Sequence, residues 1–159
     1  MPADLKRKGI ILAGGKGTRL YPVTLGVSKQ LAPIYNKPMI YYPLSVLMLS
    51  GIREVCIITT PDSADQFISL LGDGNQWGMS FSYINQPSPD GLAQAYILAK
   101  DFLNGAPSAM VLGDNIFYGS DLQNLFPSIL DQNRGCSIFL CPVKNPYAFG
   151  NVLFNKKIK

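Results

Sequence analysis

The chain has 159 residues, of which 47% are hydrophobic and 15% charged, so it is long enough for one compact domain with a sizeable core. Its net charge is +4, but three of the positive charges lie in the last four positions, which leaves the rest nearly neutral and argues against a nucleic-acid surface. Histidine is absent, which excludes Ser-His-Asp and Cys-His nucleophiles, a histidine general base and histidine-bearing zinc sites.

The cysteines and the apolar runs indicate the cellular compartment of the protein. Cys56, Cys136 and Cys141 lie in apolar stretches without CxxC spacing, which predicts buried structural thiols in a reducing compartment. The apolar run after residue 9 is cut short by two glycines, so it is too short for a signal peptide. The longest apolar stretch, residues 39–49, falls short of the roughly 20 residues that span a membrane. We therefore expect a cytoplasmic protein that binds no membrane.

The first half of the chain begins with a predicted strand at residues 9–12, which runs into a glycine-rich loop. Residues 22–38 look irregular. Residues 39–49 are apolar on nearly every side, which predicts a buried helix or one covered by a partner subunit, with Gly51 as its C-cap. A strand at 54–59, a helix at 63–71 closed by Gly72 and an alternating strand at 79–85 follow.

The second half continues the alternation of strands and helices. After a loop at residues 86–91, a helix at 92–102 leads to a strand at 109–112, then to a helix at 121–130. A fifth strand is predicted at 136–141, and a sixth begins at 150–154. This order predicts an α/β fold, Rossmann-like, with a mainly parallel sheet flanked by helices and right-handed crossovers. Ligands of such sheets bind at the carboxyl ends of the strands, which directs attention to the loops 14–25, 86–91 and 113–118.

The glycine-rich loop after the first strand is the clearest chemical motif. Its glycines permit positive φ and a close approach of backbone amides to a phosphate. It is not the dinucleotide fingerprint, because Leu20 stands where glycine is needed, and not a Walker A loop, because Gly17 follows Lys16. Arg19 and Lys29 on the same long loop add two cations suited to phosphates.

Five motifs in order resemble the sugar-1-phosphate nucleotidylyltransferases. They read GGKGTRLYP, SKQLAPIYNKPMIYYPLSVLMLSGIRE, LLGDGNQWG, QPSPDGLAQA and VLGDNIFYG, and the resemblance runs from about residue 8 to residue 154. The fourth and fifth resemble the thymidylyl branch more than the uridylyl or adenylyl branches. The resemblance implies transfer of a thymidylyl group from dTTP to glucose 1-phosphate, giving dTDP-glucose and pyrophosphate, the first step toward dTDP-L-rhamnose.

The resemblance also assigns roles to residues. Arg19 and Lys29 are implied to be catalytic, and Asp114 is implied to be a ligand of Mg²⁺. Gln86 is implied to read the thymine edge, Gly91 to give the base room, and Gly150 to meet the sugar through its backbone. The nucleotide-binding residues implied are Leu12, Gly14, Gly15, Lys16, Gly17, Thr18, Arg19, Gln30, Gln86, Pro89, Gly91 and Asp114.

Simpler interpretations of the same residues remain open. The glycine loop could be a plain tight turn, Arg19 a surface ion pair and Lys29 a solvated lysine. Gln86 could be an ordinary polar residue at a strand end, and Asp114 a helix cap. The whole chain could be a nucleotide-binding module without turnover, a uridylyl or other nucleotidylyl transferase, or an unrelated dinucleotide-binding domain.

Family members are nearly twice as long as this chain, and most are homo-oligomers. We therefore expect residues 1–159 to be the N-terminal part of a single nucleotidyltransferase domain, truncated so that the sugar-binding and C-terminal portions are absent. The missing histidines agree with the implied chemistry, because a phosphate oxygen of glucose 1-phosphate is already ionised at neutral pH and needs no general base.

Overall fold

The computed structural model describes residues 6–15, 17–88, 90–130, 135–145, 147, 150 and 152. The strands are β1 (Lys8–Leu12), β2 (Pro33–Ile34), β3 (Lys37–Pro38), β4 (Glu54–Thr59), β5 (Ser80–Asn85) and β6 (Ser108–Leu112). The α-helices are α1 (Tyr41–Leu49), α2 (Ala64–Leu71), α3 (Leu92–Leu98), α4 (Lys100–Leu103) and α5 (Leu122–Leu130). No helix among these residues is long and apolar enough to cross a membrane.

Four of the strands form one parallel sheet in the order β5-β4-β1-β6. The register aligns Ile10 with Cys56 on one side and with Met110 on the other. Strands buried on both faces are continuously apolar, and the IIL run of β1 and the VCII run of β4 have this character. The predicted α/β class and parallel sheet are confirmed.

Helices cover both faces of the sheet. Ile11 points into a cluster with residues of α1, α2 and α5, whereas its neighbour Ile10 packs with Ala95 and Ala99 beside α3 and α4. Gly9 lets α1 approach the sheet, because a Cβ there would lie 2.8 Å from Leu47 Cδ1. The core therefore fixes the strands whose carboxyl ends carry the predicted loops.

The first helices follow the sequence prediction closely. α1 buries four of its residues and ends before Gly51, whose φ is 77°, with Ile52 N donating to Leu47 O at 3.0 Å. α2 ends at Gly72, as predicted. Between β1 and α1 the chain forms short 3-10 turns and the small β2–β3 hairpin, so the stretch predicted to be irregular contains one pair of strands. The helix predicted at 92–102 is two helices separated at Ala99.

The C-terminal part of the described chain departs from the prediction. Residues 136–141 form no strand, because no neighbouring strand in the described part of the chain pairs with them; Phe139 packs edge-on against Phe117 and Phe126 instead. Cys136 and Cys141 are therefore exposed, and their predicted burial is wrong, whereas Cys56 is buried in β4. Burial raises the pKa of the Cys56 thiol to about 11. Of the strand predicted at 150–154, only Gly150 and Val152 are described, and neither is in a strand.

Candidate functional site

The three predicted loops begin at one edge of the sheet. Ala13 N donates to Ile58 O at 2.7 Å, Gly113 N to Leu12 O at 2.8 Å, and Gln86 N to Thr59 O at 2.7 Å. These bonds continue the ladders just past the carboxyl ends of β1, β6 and β5. The topology thus brings the glycine-rich loop, the Gly113–Asp114 turn and Gln86 to the same edge, where ligands of parallel sheets bind.

The glycine-rich loop is held against the segment that carries Lys29. Gly17 has a φ of 63°, and a Cβ on it would lie 2.9 Å from both Lys29 Cβ and Thr24 Cγ2. Thr24 Oγ1 donates to Gly17 O at 3.0 Å and closes the loop. Glycine is required here both by the backbone conformation and by the space, because the loop packs closely against the segment that carries Lys29. Lys16 lies outside the described residues.

Gln30 lies between the glycine-rich loop and the Gly113 turn. Its side chain is buried, and Ser28 Oγ donates to its Oε1 at 2.8 Å. A Cβ on Gly113 would lie 2.9 Å from Gln30 Cγ, and one on Gly15 would lie 3.6 Å from Gln30 Nε2. Gln30 therefore supports both loops from beneath through contacts with protein groups, and its contact with a nucleotide stays a prediction.

Lys29 and Asp114 meet above this support. Lys29 Nζ lies 2.5 Å from Asp114 Oδ2, and the side chains are 26% and 34% exposed. Asp114 is followed by seven residues without helical structure, so it caps no helix. Lys29 is likewise not a lone solvated lysine. The sequence separates the two residues by 85 positions, and only the parallel sheet brings them together.

Arg19 lies on the exposed side of the same loop. An open cavity of about 240 Å³ is lined by Gly17, Thr18, Arg19, Leu20 and Lys29. In the part of the chain that the structure describes, the ion pairs are Lys8–Glu54 and Lys29–Asp114, and Arg19 takes part in neither. A surface ion pair therefore does not explain Arg19 among these residues. Arg19 and Lys29 thus both line a cavity open to solvent, and cationic side chains of this kind suit an anionic group.

The opposite end of the edge carries a buried neutral side chain, Gln86. Gln86 is 2% exposed, and its Nε2 donates to Oε1 of Gln94 in α3. Gln94 Oε1 also accepts from Asp90 N at 3.0 Å, and Gln94 Nε2 donates to Asp90 Oδ2 at 2.9 Å. A Cβ on Gly14 would collide with Gln86 Oε1. Gln86 thus reaches across the end of β4 to the glycine-rich loop, which an ordinary strand-end residue would not do.

The structure does not show the remaining predicted residues in contact with the rest of the site. Gly91 is exposed and has a φ of 101°, and a Cβ on it would meet nothing within 4 Å. Glycine is therefore favoured there by the backbone conformation and not by a lack of space. Gly150 is exposed with nothing within 4 Å of an added Cβ, so the structure does not bring it to the other site residues. Pro89 lies outside the described residues.

Two residues of the site were not predicted. Thr24 carries no sequence signal, because a threonine in an irregular stretch has many possible partners. Gln94 lies inside the QPSPDGLAQA motif, four residues after Asp90, a spacing at which side chains near a helix start meet. The spacing was therefore visible, but the contact with Gln86 depends on how α3 packs beside β5.

The sequence of the chain is similar to those of known proteins over nearly its whole length. Residues 8–159 match the family profile described as nucleotidyl transferase. The chain is 57% identical over 151 residues to a glucose-1-phosphate thymidylyltransferase of Xanthomonas campestris pv. campestris, covering 95% of this chain and 51% of that protein. It is 56% identical over 152 residues to the enzyme of that name from Neisseria meningitidis, covering 96% of this chain and 53% of that protein.

Solved structures give the same result for the fold. A Bacillus anthracis protein assigned as a glucose-1-phosphate thymidylyltransferase and crystallised with sucrose has a TM-score of 0.75 and 39% identity, over 82% of this chain and 52% of its own. A UDP-glucose pyrophosphorylase with UDP-glucose bound has a TM-score of 0.64 at 24% identity, over 78% of this chain and 52% of its own, so that likeness concerns the fold alone. The chain spans about half the length of the curated relatives it matches.

Proposed function

The chain belongs to the nucleotidyl transferase family, and on that premise we propose that it binds dTTP and carries the nucleotide half of a glucose-1-phosphate thymidylyltransferase site. In this proposal residues 1–159 are the N-terminal part of a single nucleotidyltransferase domain. The observation that supports it best is the meeting of three chemistries at one sheet edge: a glycine-rich loop beside two cations, a carboxylate, and a buried carboxamide.

The proposed reaction is a displacement at phosphorus. A phosphate oxygen of glucose 1-phosphate attacks the α-phosphorus of dTTP, a new P–O bond forms, and the bond to pyrophosphate breaks, giving dTDP-glucose. The attacking oxygen is ionised at neutral pH, so the protein aligns the reactants and offsets negative charge rather than moving a proton. Arg19 and Lys29 border the cavity in which the triphosphate would lie.

Asp114 fits a magnesium ion that is shared with a substrate. Mg²⁺ is commonly held by one or two carboxylates together with phosphates and water, and Asp114 offers one partly exposed carboxylate in contact with Lys29. Within the described residues no three acidic or sulfur side chains gather to form a full protein cage. When bound, Mg²⁺ would neutralise charge on the phosphates, and Lys29 would then exchange Asp114 for a phosphate.

Wider features of the proposal rest on the sequence analysis and on the family resemblance. We place the protein in the cytoplasm, with dTTP and glucose 1-phosphate as substrates, no nucleic-acid or membrane partner, and a homo-oligomeric full-length form. The product would enter dTDP-L-rhamnose synthesis.

A second candidate function is a nucleotide-binding module without turnover. The observation that favours it is length, since the chain spans about half of the relatives named for the activity. An unrelated dinucleotide-binding domain has less support, because β4 ends at Thr59 and is followed by Thr60, where such domains carry an acidic residue.

One experiment separates these functions. The 159-residue chain is titrated with dTTP, UTP and NADH in the presence of Mg²⁺, and pyrophosphate release is measured after glucose 1-phosphate is added. Release with dTTP preferred over UTP supports the transferase, and binding of dTTP without release supports the module. Binding of NADH without dTTP would overturn both.

A further inference from the structure

The hydrogen bonds around Gln94 fix which of its amide atoms is the oxygen. Asp90 N is a donor only, and it points at Gln94 Oε1 at 3.0 Å. The Asp90 carboxylate is an acceptor only, and it takes a hydrogen bond from Gln94 Nε2 at 2.9 Å while Ser88 Oγ donates to the same oxygen at 2.6 Å. Both partners of Gln94 therefore require the same orientation, and the reversed amide would face a donor with a donor and an acceptor with an acceptor.

This orientation determines that of Gln86 in turn. Because Gln94 presents an oxygen, the Gln86 atom that faces it must be the donor Nε2. A rotation of the Gln86 amide by half a turn would bring two carbonyl oxygens together and lose the hydrogen bond. Gln86 Oε1 is thereby directed toward Gly14 and the glycine-rich loop.

The Oε1 atom of Gln86 is an open acceptor in a buried side chain. Gln86 is 2% exposed, yet among the described residues no hydrogen bond to its Oε1 is formed. No fully buried side-chain oxygen or nitrogen in that part of the chain lacks a partner, so this oxygen reaches the surface. An unpaired acceptor in an otherwise buried side chain is suited to a ligand that donates a hydrogen bond.

We propose that Gln94 is a positioning residue that holds the Gln86 carboxamide with its oxygen toward the nucleobase, and so selects thymine or uracil against cytosine. This inference rests on the proposed function. Thymine and uracil carry a donor at N3–H between two carbonyl oxygens, whereas cytosine has an acceptor at N3 and an amino group beside it. A fixed Oε1 accepts a hydrogen bond from N3–H of thymine or uracil but faces the N3 lone pair of cytosine. The binding of dCTP is therefore weaker than that of dTTP.

The test compares dTTP with dCTP, because the two ligands share their sugar and phosphates. The dissociation constants of both are measured with Mg²⁺ by calorimetry for the wild-type chain and for Gln94→Met, which keeps the size of the side chain but removes its acceptor. We expect the dTTP preference to fall about 10-fold, the equivalent of one hydrogen bond. Gln66→Met, on the exposed part of α2, is the matched control and should leave the preference unchanged.

Two further variants distinguish orientation from loss of structure. Gln94→Lys supplies only donors and can still pair with Asp90. The Gln86 amide should then rotate by half a turn, so that its Nε2 faces the base, and the preference should shift further toward dCTP. The double variant Gln94→Glu with Asp90→Asn exchanges the partners of one hydrogen bond but retains an acceptor for Gln86 Nε2, and it should recover the wild-type preference. Melting temperatures identify any variant that has lost its fold.

The outcomes are separable from those of the proposed function. A wild-type chain that does not bind dTTP overturns the proposed function and this inference with it. A wild-type chain that binds dTTP, together with Gln94 variants that keep the preference or lose both ligands equally, overturns this inference and leaves the proposed function standing.

Discussion

The two ends of the site are built differently. At the base end, Gln86 is 2% exposed and is held by Gln94, which is itself held by Asp90. At the phosphate end, the side chains of Lys29 and Asp114 are 26% and 34% exposed and are held by one another, and Arg19 is exposed. At one end a buried neutral carboxamide is positioned by hydrogen bonds that lead out to the exposed carboxylate of Asp90, and the other end is a set of charges in contact with water.

This difference follows from what each end is proposed to recognise. A nucleobase is distinguished by the direction of single hydrogen bonds, so its reader must be unable to turn, and a neutral amide can be buried cheaply once it is paired. A triphosphate is recognised by charge, and cations kept partly in water avoid the desolvation penalty until the ligand arrives. In the proposed function, the ion pair between Lys29 and Asp114 would be a contact that the ligand replaces on binding.

The largest expected effect comes from removing a cation at the phosphate end. Arg19→Ala should lower pyrophosphate release about 100- to 1000-fold, because Arg19 lines the cavity and is proposed to offset charge on the leaving group. Its melting temperature should change little, since Arg19 makes no ion pair among the described residues. Lys100→Ala, on α4, removes an exposed cation elsewhere and serves as the control. Normal turnover by Arg19→Ala would show that the assigned role is wrong.

A smaller but more selective effect is expected at the base end. Gly14→Ala places a Cβ against Gln86 Oε1, and Gln86 cannot move aside without breaking its bond to Gln94. We expect the affinity for dTTP to fall about 10- to 100-fold, the cost of one or two hydrogen bonds to the base. Gly26→Ala is the matched control, because its φ is −117° and an added Cβ meets nothing within 4 Å. Equal affinities of the two variants would contradict the close contact.

The contrast between the two ends also marks what the sequence could reveal. The strands β1, β4 and β6 and the glycine-rich loop follow from local patterns, so the sheet edge and Arg19 were predictable. The pairing of Lys29 with Asp114 spans 85 positions and needs the order of strands, which no local pattern contains. Gln94 was missed because its partner is set by the packing of α3. The strand predicted at residues 136–141 failed because an apolar run becomes a strand only where another strand pairs with it.

High pH should destabilise the fold through Tyr83 on β5. Tyr83, three residues before Gln86, donates to Gly72 O at 2.6 Å, and its burial, with the charge of Asp73 second, raises its pKa to about 12. In the unfolded chain the Tyr83 phenol ionises near its ordinary pKa of about 10. The stabilisation of the fold by the neutral phenol is therefore complete below pH 10 and is lost as the pH rises toward 12.

Urea unfolding measured between pH 9 and 12 tests this dependence, with Tyr83→Phe as the variant and Tyr118→Phe, at a fully exposed tyrosine, as the control. The free energy of unfolding of the wild type should fall more steeply across this range than that of Tyr83→Phe. Parallel curves for the two would mean that the Tyr83 phenol ionises equally in the folded and unfolded chains.

The smallest expected effect is on the stability of the phosphate end. Asp114→Asn removes the ion pair with Lys29, but pairs this exposed contribute about 0–1 kcal/mol, so the free energy of unfolding should hardly change. The same variant should weaken Mg²⁺-dependent binding of dTTP, because the amide loses the charge that a hard cation requires. Unfolding in urea and dTTP titrations with and without Mg²⁺ measure the two properties separately. A marked loss of stability with unchanged Mg²⁺ dependence would mean that Asp114 belongs to the scaffold, and the two ends would then be alike in being fixed before the ligand binds.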